Sequence, residues 1–225
     1  MNQKIRNIII GVVVVVIIAG GLFLIFNQKS ELTEVEKEIK IISENNNLTE
    51  EQQAELDDAL NLLKENPESA EALIGIARVK QQTDDYEGAK KDYLKALEIQ
   101  PTNIVALNNL ADIYNQEKEY KKSAEIYLRM IENSPKWISA YRELISVYKY
   151  HLPEKYPDIE QILLTGIEKN TDLTEYAPVD FYLMLGEFYS EVGNKNKAIE
   201  YFEITLDLMP EDAGIQSELE ILKTL

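Results

Sequence analysis

Pro67, Pro101 and Pro135 stand 34 residues apart, and no other feature limits the folds open to this chain so strongly. Proline lacks a backbone N–H and clashes with the preceding turn, so a proline at regular intervals writes a series of helix ends. After Pro67 come Leu73, Ile76 and Ala77, then Ala89, Tyr93 and Ala96; after Pro101 come Leu107, Leu110, Ala111 and Tyr114, then Ser123 and Tyr127. Each group has the spacing of one helix face. Tyr86 and Tyr120 mark the same turn in both units, and Lys80 takes the place that Tyr114 holds one period later. A unit of this length cannot bury its own apolar face, so the period predicts stacked helix pairs.

The clearest copy is Val179 to Pro210: Tyr182-x-x-Leu185-Gly186-x-x-Tyr189, then Ala198-x-x-x-Phe202, then Pro210. With Tyr in place of the leading Trp, it resembles the tetratricopeptide repeat, a helix-turn-helix unit. Large residues fill the interface between helices A and B, while Gly186 and Ala198 let the backbones approach. The resemblance implies an all-α, tetratricopeptide-like helix-turn-helix solenoid of about four repeats plus capping helices. The fold expected for the whole chain is that solenoid preceded by one transmembrane helix, read from the apolar run Ile8 to Phe26. The repeats are expected at 70–103, 104–137, 138–173 and 179–212 of a domain spanning 49–225. Capping helices are expected at 49–66, opened by the capping box Thr49-x-x-Gln52 and lacking a helix A before it, and at 212–224, with Ile215, Leu219 and Leu222 on its face. The third repeat starts with Tyr141, Leu144 and Tyr148 and then diverges. Tyr148 to Tyr156 is two residues longer than Lys80 to Tyr86, and no proline closes the helix carrying Ile159, Leu163 and Gly166. The loops 149–157 and 171–178, the latter an extended connection, are either recognition features or tolerated drift.

At the other end, Ile8 to Phe26 is an uninterrupted apolar run of 19 residues, 15 of them Val, Ile, Leu or Phe. That is enough to cross a hydrocarbon core about 30 Å thick and longer than the usual apolar region of a cleaved signal. Lys4 and Arg6 precede the run, while an acidic stretch follows Lys29, so the positive-inside tendency puts residues 1–7 in the cytoplasm and the repeats outside it, anchored by a single pass in the plasma (inner) membrane. Residues 27–48 read as a polar stalk, with Leu32, Val35, Ile39 and Ile42 forming one helical stripe.

All 40 acidic residues lie from Glu31 onward, against 20 of the 23 Lys and Arg, so that portion has a formal charge of −20. Such a surface repels phosphate backbones, which argues against nucleic-acid binding. The absence of Cys removes disulfides and thiolate chemistry, and a lone His151 removes most metal and general-base sites. Asp57-Asp58 and Asp84-Asp85 lack the alternation of a calcium loop, and Asp85 suits a helix cap instead. No catalytic, cofactor or metal site is expected, and the chain reads as a non-enzyme. The oligomeric state is left open.

The resemblance implies a groove lined by A helices that takes a peptide or partner protein. On this sequence it implies Ile74, Arg78, Gln81, Asn108, Asn109, Asp112, Asn115, Arg142, Ser146, Lys149, Leu183 and Glu187. Arg78, Arg142 and Lys149 are basic points suited to an acidic peptide, or are ordinary solvated charges meeting nearby carboxylates. The carboxylate clamp of the chaperone-binding subset is not carried over, because only Asn109 matches, with Ile74, Ser139 and Glu143 at its basic places. A membrane-anchored adaptor in envelope, secretion or complex assembly is expected, the alternative being a cytosol-facing receptor or co-chaperone with the anchor reversed.

Overall fold

The computed structural model describes residues 34–44, 47–170 and 177–224. The expected segments 1–7 and 8–26, residues 27–33 of the stalk and residues 171–176 of the second loop lie outside the described residues. Among the described residues, no helix is long and apolar enough to cross a membrane. Every described element is helical, and two compact units divide the chain after Ala106.

The first unit holds α1 (residues 34–44), α2 (Glu50–Glu65), α3 (Ala70–Gln82) and α4 (Tyr86–Ile99). Helix starts are set by side chains that accept otherwise orphaned N–H groups. The Gln52 N–H donates to Thr49 Oγ1 at 3.2 Å while the Thr49 N–H donates to Gln52 Oε1 at 2.9 Å, completing the expected capping box. Asp85 Oδ1 caps α4 by accepting from the Gly88 N–H at 2.9 Å.

Helix α1 differs from the expected stalk. Ile39 and Ile42 are buried in one cluster with Leu56, Ala59 and Leu63 of α2 and Ala72, Ile76 and Val79 of α3. The apolar stripe therefore faces protein, and α2 has a helix packed before it. Burying each isoleucine contributes about 1.5–3 kcal/mol toward offsetting the entropy lost in ordering the helix.

A second tie is ionic. Lys80, at the patterned tyrosine place, is 1% exposed, and its Nζ donates to Asp92 of α4 at 2.5 Å and to Glu38 of α1 at 2.7 Å. Burial alone would pull the ammonium pKa down; the bonds to Asp92 and Glu38 outweigh it and hold it above its ordinary value. One side chain thus joins three helices.

The second unit contains α6 (Tyr120–Asn133), α7 (Ile138–His151), a 3-10 helix (Pro153–Asp158), α8 (Ile159–Lys169), α9 (Ala177–Glu191), α10 (Lys195–Leu208) and α11 (Ala213–Thr224). The division between units falls within α5 (Ile104–Gln116). Three of the turns between paired helices share one geometry. Asp84, Lys118 and Gly193 have φ of 64°, 62° and 76°, each four places after Lys80, Tyr114 and Tyr189. The next N–H donates back to that earlier carbonyl at 2.9, 2.8 and 2.8 Å, a left-handed closure of the first helix. In the third repeat Leu152 holds the corresponding place with φ −132°, and the chain passes into the 3-10 helix. The inserted residues are therefore ordered against α7 and α8 instead of forming an open loop.

The end of that repeat is also rebuilt. Asn170 is buried, and its Nδ2 donates to the Gly166 carbonyl at 2.6 Å and the Pro135 carbonyl at 3.0 Å, closing α8 without a proline. Helix α9 begins at Ala177, so Ala177 and Pro178 are helical, not part of an extended connection. Proline is tolerated there because a first-turn N–H has no intrahelical acceptor to lose. Close approach is needed at two glycines: a Cβ on Gly166 would lie 2.5 Å from the Phe181 ring, and one on Gly186 2.7 Å from Phe202.

Gly186→Leu is expected to destabilise the chain by at least about 1–3 kcal/mol through overpacking. Gly75→Ala, whose new methyl meets atoms no nearer than 3.5 Å, should stabilise by up to about 1 kcal/mol. Urea denaturation measures both, and equal effects would disprove the close contact. For Lys80→Ala, stranding Asp92 is expected to lose about 3–5 kcal/mol, with much of it restored in Lys80→Met combined with Asp92→Leu. The contribution of Lys80 is fully present below pH 10.5 and lost as pH rises through its higher folded pKa, so wild type should lose stability more steeply above pH 10.5 than the double variant.

Candidate functional site

In the first unit, α2 and α3 together with Val105 enclose a cleft of about 660 Å³. Its apolar surface comes from Ala54, Ala59, Leu62, Ile74 and Gly75, and its charges from Glu51, Glu55, Asp58, Glu71 and Arg78. Arg78 donates to Glu55 and forms an ion pair with it. Gln81 lies on the same helix but accepts from the Tyr93 hydroxyl at 3.0 Å and does not line the cleft.

In the second unit, α7, α9 and the 3-10 helix form a hollow of about 210 Å³ containing Arg142, Ser146, Lys149 and Glu187, all expected groove residues. Ile145, Tyr150, Tyr156, Met184, Phe188 and Glu191 complete it. A second cleft of about 330 Å³ between α9, α10 and α11 shares Glu187 and Glu191 and adds Leu183, Ser190, Phe202, Ile215 and Glu218. The divergent third repeat supplies one wall directly: Tyr156 packs on Phe188 with ring centroids 5.3 Å apart, and its hydroxyl donates to Glu191 at 2.6 Å.

The cations of this hollow are engaged. Arg142 donates to Asp180 at 2.8 Å, and Lys149 to Glu191 at 2.5 Å. Both pairs are partly open to solvent, where such contacts contribute about 0–1 kcal/mol, so they set charge more than stability. Glu187 has exposed surface yet sits in the concave wall. Lost hydration raises its carboxyl above the usual range, opposed by Arg142 and Lys149 and reinforced by Glu191.

The expected residues of α5 form a different arrangement. Asn108 donates to Asp112 at 3.2 Å, Asn115 donates to the Tyr127 hydroxyl at 3.2 Å, and that hydroxyl donates to Asp112 at 3.5 Å. Burial first, and then Glu143, push the Asp112 carboxyl up. Asn109 is half-buried on the same helix. None of these four lines the clefts described above. His151 stacks on Tyr120, with centroids 3.7 Å apart and planes within 2°, a packing role for the lone imidazole. Among the described residues, no group of three or more His, Cys, Asp and Glu is placed to hold a metal ion.

Sequence reasoning missed the contribution of α2, because that helix was read only as a cap. The signal was there: Glu51, Glu55, Asp58 and Leu62 recur at helical spacing on a face next to that of Leu56 and Leu63. Tyr156 carried no comparable signal, since only the 3-10 helix aims it at α9.

Tetratricopeptide-repeat family models match residues 70–103, 92–125 and 179–204. No curated protein matches the chain by sequence. Among solved structures, the chain is similar to the MamA protein at 24% identity and TM-score 0.50, covering 69% of this chain and 81% of that one. A second MamA structure is similar at 18% identity and TM-score 0.50, covering 70% and 88%. A tetratricopeptide repeat protein from Parabacteroides merdae is similar at 19% identity and TM-score 0.55, covering 86% and 72%. At these identities the likeness speaks to the fold. The chain thus carries tetratricopeptide repeats, and its fold is the all-α helical solenoid of proteins built from them.

Proposed function

We propose that this chain is a membrane-anchored interaction scaffold, which holds a peptide or partner protein against its A-helix faces on the extracytoplasmic side of the plasma (inner) membrane and serves envelope, secretion or complex assembly. The observation that carries the scaffold reading is the pair of clefts, one built by α2 and α3 and the other by α7, α9 and the 3-10 helix, each combining apolar floor with charged rim. Pockets of about 300–1,000 Å³ suit a few ligand side chains, and the first cleft falls in that range. The anchor is supported by the apolar run Ile8 to Phe26, and the orientation by Lys4 and Arg6 before it.

Fractionation and protease accessibility of protoplasts expressing the chain with a carboxy-terminal tag test the topology. The tag is expected in the membrane fraction and digested by protease added outside. A tag protected until lysis would establish the opposite orientation and the cytosol-facing alternative, and a tag in the soluble fraction would remove the anchor. Crosslinking in those membranes, followed by identification of the joined proteins, tests the scaffold role; a chain joined to none would overturn it.

A further inference from the structure

The three basic residues that the sequence offers to an acidic ligand are all held by the protein's own carboxylates: Arg78 by Glu55, Arg142 by Asp180 and Lys149 by Glu191. What is left over is negative. In the α2–α3 cleft, four carboxylates face one guanidinium, and among the described residues Glu51, Asp58 and Glu71 have no ion-pair partner. The second unit independently repeats the pattern, with Glu187 and Glu218 lacking an ion-pair partner among the described residues beside the engaged Arg142 and Lys149.

We propose that the α2–α3 cleft binds a cationic peptide segment, one that sets a Lys or Arg beside Glu51, Asp58 and Glu71 and an apolar side chain against Leu62 and Ile74. This rests on the scaffold reading above and fixes the chemistry of its partner. An acidic segment meets like charge at three carboxylates, and Arg78 can turn toward it only by leaving Glu55 uncompensated in the wall. A basic segment meets no such conflict. The floor of the cleft also favours Lys and Arg over a small cation: their aliphatic stems cover apolar surface while the charged head reaches a carboxylate at the rim. The neutral surface of Ala54, Leu62, Ile74 and Gly75 supplies that track.

The test is selection of short random peptides on the full-length chain in non-ionic detergent, followed by affinity measurement on the winners. Peptides rich in Lys and Arg with an aliphatic or aromatic neighbour are expected, with binding weakened at about 0.5 M salt by screening. The triple variant Glu51→Gln, Asp58→Asn, Glu71→Gln is expected to reduce affinity by about tenfold or more. A control triple variant at exposed carboxylates outside the clefts, Glu98→Gln, Glu125→Gln, Glu132→Gln, should stay within about twofold, because net charge alone acts weakly at a distance. Equal losses in both variants, with thermal unfolding unchanged, would reduce the attraction to overall charge and overturn the site. Cationic winners indifferent to both variants would also overturn it. Selection of acidic peptides would leave the scaffold reading standing and reject the cationic one, whereas no enrichment at all would reject both.

Discussion

Lys80 is the interaction on which the first unit depends. An ammonium this deeply buried is tolerated only with opposite charge in contact, and the two carboxylates come from different helices, Asp92 on α4 and Glu38 on α1. The arrangement explains why a charged residue can replace the patterned tyrosine without opening the core. Tyr114, Tyr148 and Tyr189 fill the same place with ring volume, while Lys80 fills it with an ion pair that also recruits another helix. Hydrophobic burial of Ile39 and Ile42 is non-directional; the ionic contact adds a fixed register between α1 and α3.

Much of the architecture was legible because its causes are local. Prolines and the Thr49 and Asp85 caps act within one or two turns of where they stand, and Gly186 and Ala198 act between helices adjacent in sequence. The features that were not legible arise from long-range contact. Nothing near Ile39 says whether its stripe meets solvent, a second chain or α2. Similarly, two residues added after Tyr148 could form an open loop or a 3-10 helix, and the choice rests on Tyr156 finding Phe188 and Glu191 far along the chain. For the candidate site, the resemblance implied Arg142, Ser146, Lys149 and Glu187 as groove residues, but could not show that the cations among them are already engaged.

That engagement reverses the apparent sign of the surface. Read as a string, the A helices offer scattered basic points in an acidic domain; folded, those points become neutral pairs and the unpaired carboxylates define the field. The divergent third repeat has a related effect. Its left-handed turn is lost, and the residues that replace it contribute an aromatic wall to the hollow beside α9. Departure from the repeat pattern and construction of the candidate site are, at this place, one structural event.

The docking of α1 has a mechanical consequence. Tension applied to the chain from its amino-terminal side enters the described structure at residue 34 and meets the packing of α1 before it meets any repeat. That helix is held by Ile39, Ile42 and Val35 and by two ion pairs, Glu36 with Lys64 and Glu38 with Lys80, and as the terminal described element it is the one to peel first. Peeling would leave Lys80 with Asp92 alone and expose the apolar side of α2, converting a pull on the chain into newly uncovered surface next to the α2–α3 cleft.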